Sequence, residues 1–264
     1  MNVSVVERVH LNLKKLELFH IDEIVDETLE SLAQQGKSYM EIIDELTNAE
    51  VECRKERSIK TRLKLAKLPY IKTLDTFDME FHSGLNIGKV RELFSLQFAH
   101  RNQNVVLLGP PGVGKTHLAV SLAVASCQYG FTAYFLTIQD LISDLKKADS
   151  IGRLKSKLKS LAKPKVLILD EMGYLPLNIE ESNLFFQLVC ARYERGSIVI
   201  TSNKSYGAWN EVFPDTTIAA AILDRLLHHS VTLNIKGDSY RLKDKKKVGL
   251  FDSLSATSNE KGGA

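Results

Sequence analysis

Apolar residues change their rhythm near residue 68. Before it they recur at helical spacing: Ile21, Ile24, Val25, Thr28, Leu29 and Leu32 share one helix face. QQGKSYME then punctuates the pattern. Gly36 suits the position just past a helix end, and Ser38 with Glu41 forms a capping box for the next helix. That helix carries Tyr39, Ile42, Ile43 and Leu46 on one face. Pro69, in LPYIKTLDTFD, breaks the helical pattern. The spacing therefore predicts a small all-α N-terminal domain over residues 1–68.

Beyond it, short β-rich runs alternate with helical stretches. NVVLL, FTAYFL, VLILD, SIVITSN and VTLNI read as five strands. Helices are expected after the first run, from about Ile138, around 180–195 and around 217–228. Strands that alternate with helices imply a parallel sheet covered on both faces. The expected fold class is α/β, with a five-stranded parallel sheet in a domain over residues 69–250. The polar tail, 251–264, is expected to be disordered.

The chain has 264 residues, and 44% of them are hydrophobic, enough for a full core. No apolar run reaches the length of a membrane span, and no leader pattern opens the chain. Cys53, Cys127 and Cys190 lie far apart without a C-x-x-C, which suits reduced thiols in a cytoplasmic protein. The net charge of +3 hides a strong segregation. Residues 1–51 hold eleven acidic and four basic residues, residues 52–67 hold seven basic and two acidic, and Lys146–Lys165 holds eight basic and one acidic. Each basic run reads either as a solvated helix face or as a phosphate-binding surface.

The chemistry concentrates after the first strand. Residues 109–116, GPPGVGKT, match G-x-x-x-x-G-K-[ST]. Gly109, Pro110, Pro111, Gly112, Val113 and Gly114 form a loop whose backbone N–H groups can wrap a triphosphate. Lys115 reaches the β- and γ-phosphates, and the Thr116 hydroxyl ligates Mg²⁺. His117 follows in the first turn of a helix whose N-terminus faces the same anions. VLILDE ends in two acids: Asp170 would hold Mg²⁺, directly or through water, and Glu171 is placed to polarise an attacking water. Asn203, closing ITSN, reads as a turn residue or as a group that touches both that water and the γ-phosphate. Arg225, in ILDRLLHH, reads as an ion-pair partner of Asp224 or as a finger into a neighbouring subunit's site. Arg241, in GDSYRLKDKKK, reads as a nucleotide contact, a DNA contact or part of a basic tail.

Together GPPGVGKT, VLILDE, ITSN and LDR resemble an AAA+ ATPase of the DnaC/DnaA branch. The stretch SYMEIIDELTNAEVECRKERSIKTRLKLAKLPYIKTLDTFD, with GYLPL and GDSYRLK, resembles the IstB family, ATP-dependent helpers of insertion-sequence transposition. The resemblance covers about residues 11–247. It implies an ATPase that uses ATP and Mg²⁺, forms a homo-oligomer, binds duplex DNA with little sequence preference and delivers it to a cognate transposase. The catalytic roles it carries over fall on Lys115, Thr116, Asp170, Glu171, Asn203 and Arg225. In one respect the sequence departs from the wider AAA+ pattern: too few residues follow VTLNI for a C-terminal helical lid, which leaves Arg241 without a secure counterpart.

The stretch between the second and third strands is longer than one helix needs, and initiator-type AAA+ proteins insert an extra helix there. Lys146, Lys147, Arg153, Lys155, Lys157 and Lys159 would then contact phosphates, independently of sequence. The other basic run, with Arg54, Lys55 and Arg57, either contacts DNA or pairs with acidic helices of a neighbouring subunit. Rival readings are a helicase loader of the DnaC type acting on single strands, a small-molecule P-loop kinase, and an ATP switch that does not hydrolyse. The basic insertion counts against the kinase, and Glu171 against the passive switch.

Overall fold

Helices occupy the N-terminal quarter of the chain, and strands alternate with helices after it. The computed structural model describes residues 4–79, 81, 84–237 and 239–240. Its contacts divide the chain into two units, Met1–Thr61 and Arg62–Ala264. Arg241 and the tail 251–264 lie outside the described residues.

The first unit holds α1 (Val5–Lys15), α2 (Phe19–Gln34) and most of α3 (Tyr39–Leu65). The expected capping box is present: the Ser38 N–H donates to Glu41 at 2.7 Å and the Glu41 N–H to the Ser38 hydroxyl at 3.4 Å. Gly36 takes a left-handed φ of 68°. Ile21, Val25 and Leu32 pack with Ile42 and Leu46. Tyr39 and Ile43, expected on that face, are exposed. The buried line of α3 runs instead through Ile42, Leu46 and Glu50, a spacing of four that follows one narrow contact strip.

Glu50 is the residue that periodicity missed. Its carboxylate accepts the N–H groups of His20 (2.9 Å) and Ile21 (3.1 Å), capping a helix whose own N-cap, Leu18, offers no side-chain acceptor. Arg54 donates to Glu50 at 2.7 Å and to the Glu17 carbonyl at 2.6 Å. Burial opposes the Glu50 charge, yet Arg54 and the two N–H groups hold its carboxyl below the usual range.

α1 buries none of its own residues, so its contacts with α2 are polar as well as apolar. His10 bridges Asp22 at 2.7 Å and Asp26 at 3.2 Å. These partners, Asp22 foremost, raise the His10 pKa above 6.5. A raised folded-state pKa stabilises fully below the unfolded value and loses that contribution as pH rises through the folded one. Amide protection factors in α1 are therefore expected to fall as pH climbs from 6.5 through the raised value. His10→Gln should remove that dependence; a pH-independent protection profile in the wild type would overturn it.

The second unit opens with α4 (Ile87–Phe94) and α5 (Gln97–His100). β1 (Asn104–Leu108), α6 (Lys115–Tyr129), β2 (Ala133–Thr137), α7 (Ile138–Ser150), α8 (Leu154–Ala162), β3 (Val166–Met172), α9 (Ile179–Arg192), β4 (Ser197–Ser202), α10 (Thr216–Leu227) and β5 (Ser230–Asn234) follow. All strand pairs are parallel, in the order β2-β3-β4-β1-β5. This is the five-stranded parallel sheet that the sequence pattern implied. Alternate residues of β3 face opposite layers, as a strand requires. Val166 and Ile168 join Leu118 and Leu122 of α6. Leu167 and Leu169 join Leu141 of α7, Phe185 of α9 and Trp209. The long insertion forms α7 and α8, so the extra helix exists. No α-helix follows β5 among the described residues.

At the end of α9, Arg192 is 1% exposed and carries a charge that no motif announced. It donates to the carbonyls of Leu161 and Ser197, each at 2.8 Å, and so ties α8 to the start of β4. Burial pushes its pKa down to about 10, which leaves it charged at neutral pH. Arg192→Leu strands two buried carbonyls and is expected to cost about 3 kcal/mol, read as a lower urea midpoint. An unchanged midpoint would remove Arg192 from the stability of this edge.

Candidate nucleotide-binding site

Phosphate chemistry is positioned at the C-terminal ends of the strands, where open α/β sheets hold ligands. The loop Gly109–Gly114 leaves β1 beside β4, where the Gly109 N–H donates to the Ser202 carbonyl at 3.2 Å. Its glycines are obligatory for two reasons. Gly109 has φ 153°, and a Cβ there would stand 2.3 Å from the Ile235 carbonyl oxygen. Gly114 has φ 84°, and its Cβ would stand 2.7 Å from the Phe77 ring. α6 begins immediately, so the N–H groups of its first turn face the loop.

Lys115 is nearly buried, and its ammonium donates to the carbonyls of Gly109 and Pro110 at 2.8 Å each. Thr116 donates to Asp170 at 3.0 and 3.1 Å. Asp170 is 4% exposed and stands behind Thr116, which lines the cleft. The Thr201 hydroxyl donates to Asp170 and accepts the Glu171 N–H at 3.0 Å. One hydroxyl from β4 thereby fixes both acids of β3. Sequence reasoning passed over Thr201, although it lies inside the ITSN motif.

Glu171 stands where the register of β3 against β4 shifts between Leu169 and Met172. Its φ is 67°, a left-handed conformation that costs a non-glycine residue about 1 kcal/mol. The bulge turns a side chain that would alternate into a core layer towards solvent at the cleft. The Asn203 Oδ1 is buried and has no protein partner among the described residues, which suits a group that waits for a ligand.

The cleft measures about 420 Å³. Pro111, Gly112, Gly114, Lys115, Thr116, His117 and Glu171 line it, and so do Tyr70, Lys72, Thr76, Phe77, Asp78, Tyr174 and Tyr240. The wall from Tyr70 to Asp78 was missed, because the sequence marks it only as a break in helical spacing. His117 bonds Thr76 Oγ1 at 3.1 Å and the Thr73 carbonyl at 3.2 Å, and meets the Phe77 ring edge-on at 5.2 Å. His117 therefore pins this wall to the phosphate loop. Burial lowers its pKa, so the imidazole is neutral at neutral pH. The Tyr240 N–H donates to the Gly112 carbonyl at 2.9 Å.

Arg225 does not line this cleft. It lies on α10, donates to the Ala221 carbonyl at 3.2 Å and stacks 4.9 Å from the Phe186 ring centroid. The basic insertion divides in two. Lys147, Arg153, Lys155 and Lys159 are exposed on α7, α8 and the turn between them. Lys146 pairs with Glu181 at 3.0 Å and Lys157 with Asp144 at 2.6 Å. The Glu181 bond raises the Lys146 pKa, while the Asn178 N–H and then Lys146 lower that of Glu181. In the first unit Arg57 is exposed, Lys55 pairs with Glu52 at 3.3 Å, and Arg54 serves Glu50.

The sequence model of the family described as IstB-like ATP binding protein matches residues 11–248. The "Insertion sequence IS21 putative ATP-binding protein" of Pseudomonas aeruginosa is 48% identical over 239 residues, 90% of either chain. The "Insertion sequence IS5376 putative ATP-binding protein" of Geobacillus stearothermophilus is 44% identical over 240 residues, 91% of this chain and 96% of that one. Among solved structures, AMPPCP-bound DnaA from Aquifex aeolicus aligns with a TM-score of 0.55 at 19% identity, covering 70% of this chain and 57% of that one. At that identity the likeness is one of fold.

Proposed function

This chain belongs to the IstB-like ATP-binding protein family, and from that premise we propose that it is an Mg²⁺-dependent ATPase that assembles on duplex DNA and delivers it to a transposase. The observation that carries this reading is the convergence of Lys115, Thr116 and Glu171 on one cleft at the sheet's C-terminal edge, with the Asp170 carboxylate bonded to Thr116.

Each role follows from position. The loop N–H groups and the start of α6 hold the phosphates, and Lys115 exchanges its two carbonyl partners for phosphate oxygens. The Thr116 hydroxyl and the Asp170 carboxylate, in contact at 3.0 Å, form an oxygen pair suited to Mg²⁺. That ion neutralises charge on the phosphates when bound. Glu171 takes a proton from the attacking water, which Asn203 orients. Arg225, which does not line its own cleft, completes the site of a neighbouring copy. ATP then favours assembly by its higher affinity for the assembled state.

Duplex DNA is read through its phosphates by Lys147, Arg153, Lys155 and Lys159, which are exposed and belong to one insertion. The helical N-terminal domain supplies contacts to partner proteins or to a second copy. No helix among the described residues is long and apolar enough to cross a membrane.

The experiment is a salt titration of DNA affinity with ATP present. Charge reversal at Lys147, Lys155 and Lys159 is expected to abolish binding near physiological salt. Replacing the same three by Gln should reduce the salt slope by about 3. Unaltered binding in the Gln variant would remove these residues from the interface. Equal lengths of duplex and single strand, compared directly, test the assignment to duplex; preference for single strands would move the function to helicase loading.

A further inference from the structure

Two turns at the N-terminal edge of the sheet bring three metal-ligating side chains together, away from the nucleotide cleft. One ligand atom from each of Glu194, His228 and His229 lies within 4.8 Å of the other two. Glu194 belongs to the turn between α9 and β4, and the histidines to the turn between α10 and β5. We propose that Glu194, His228 and His229 bind one first-row transition-metal dication, with Zn²⁺ the best fit.

The donor set sets the class of metal. Mg²⁺ and Ca²⁺ take oxygen ligands, so two imidazoles disfavour both. Two imidazoles and a carboxylate suit Zn²⁺, Ni²⁺ or Cu²⁺, and this trio leaves a fourth tetrahedral position for water. Tetrahedral donors about 2.1 Å from zinc stand about 3.4 Å apart. The cluster is slightly wider than that, and all three side chains are exposed, so small rotamer changes close it. The Glu194 carboxylate already lies 4.0 Å from His229 Nε2, and the two imidazole centroids are 4.1 Å apart.

The backbone beneath the cluster is fixed before any metal arrives. Glu194 has φ 58°, and its carbonyl accepts the Asn102 side-chain amide at 2.9 Å. The His229 carbonyl accepts the Asn104 N–H at 2.8 Å, which anchors it to β1. The Tyr193 hydroxyl bonds His228 Nδ1 at 2.9 Å and orients that ring, the arrangement by which an outer partner steers a metal-binding imidazole. His228 also closes α10, whose C-terminal partial charge favours a cation. Bound metal would tie the α9–β4 turn to the α10–β5 turn.

The probe is Zn²⁺ titrated into the tag-free full-length chain, with Mg²⁺ in large excess, followed by calorimetry. One Zn²⁺ per chain with micromolar affinity is expected, together with a higher Tm. Co²⁺ at the same site should develop the visible absorption of a low-coordinate complex. Tyr193→Phe is expected to weaken binding by about tenfold, and the double variant His228→Ala/His229→Ala to lose it while the fold, checked by circular dichroism, persists. The proposal is overturned if wild type takes up no stoichiometric Zn²⁺, or if the double variant takes up Zn²⁺ as wild type does, which would assign the metal to other residues.

Discussion

Glu171→Gln lowers ATP turnover by about 10³-fold and leaves ATP affinity within a few-fold of wild type. The substitution keeps the shape of the side chain and removes only its capacity to accept a proton. The register shift in β3 and the left-handed backbone at Glu171 persist, because both depend on the main chain and on Thr201. Lys115, Thr116 and Asp170 are untouched, so binding survives. Single-turnover hydrolysis and equilibrium nucleotide binding, measured on one preparation, separate the two effects. Wild-type turnover in Glu171→Gln would transfer the role of base to another group. Loss of binding as well would mean that Glu171 holds the cleft together rather than activating water.

Arg225→Ala lowers turnover by about 10³-fold or more without weakening nucleotide binding by the isolated monomer. Its guanidinium stacks on Phe186 and reaches the Ala221 carbonyl, outside the cleft of its own chain. On the proposed function, a cation so placed reaches phosphate across an interface between copies. The informative experiment mixes two inactive proteins. Arg225→Ala contributes an intact phosphate loop and Lys115→Ala an intact finger, so mixed oligomers regain part of the activity. A mixture as inactive as its components, under conditions where they co-assemble, excludes a finger supplied in trans. Normal turnover by Arg225→Ala alone excludes any role for it in hydrolysis.

Both experiments address residues that were readable in the primary sequence, and the reason is physical. A phosphate loop is a local object: the strand, the glycines, Lys115 and the helix fall within a few residues of one another. Asp170 and Glu171 end an apolar run, so their place at a strand's edge is visible in the run itself. The parallel sheet was legible for a similar reason, since short β-rich segments separated by helices admit few other packings. The family resemblance rested on other contiguous stretches, the N-terminal SYMEIIDELTNAEVECRKERSIKTRLKLAKLPYIKTLDTFD with GYLPL and GDSYRLK.

Other groups were invisible because their meaning lies in distant partners. Thr201 is an ordinary strand residue until β3 and β4 pair, which brings its hydroxyl between the acids thirty-one positions earlier and one position later than that. Glu50 is one more acid on a charged helix until the uncapped start of α2 meets it. The Tyr70–Asp78 wall has no periodicity and becomes a wall only through His117. The basic insertion shows the same limit: composition alone does not separate Lys146 and Lys157, which hold acids, from Lys147, Lys155 and Lys159, which face solvent.

By itself, then, the amino-acid order determined the class of sheet, the phosphate loop and the chemical types of its acids, because spacing along the chain encodes local geometry. Tertiary structure alone decided which hydroxyl orders those acids, which lysines stay available and which arginine is buried. Those outcomes depend on hydrogen bonds and burial between segments far apart in sequence, and the spacing of residues along the chain carries no record of them.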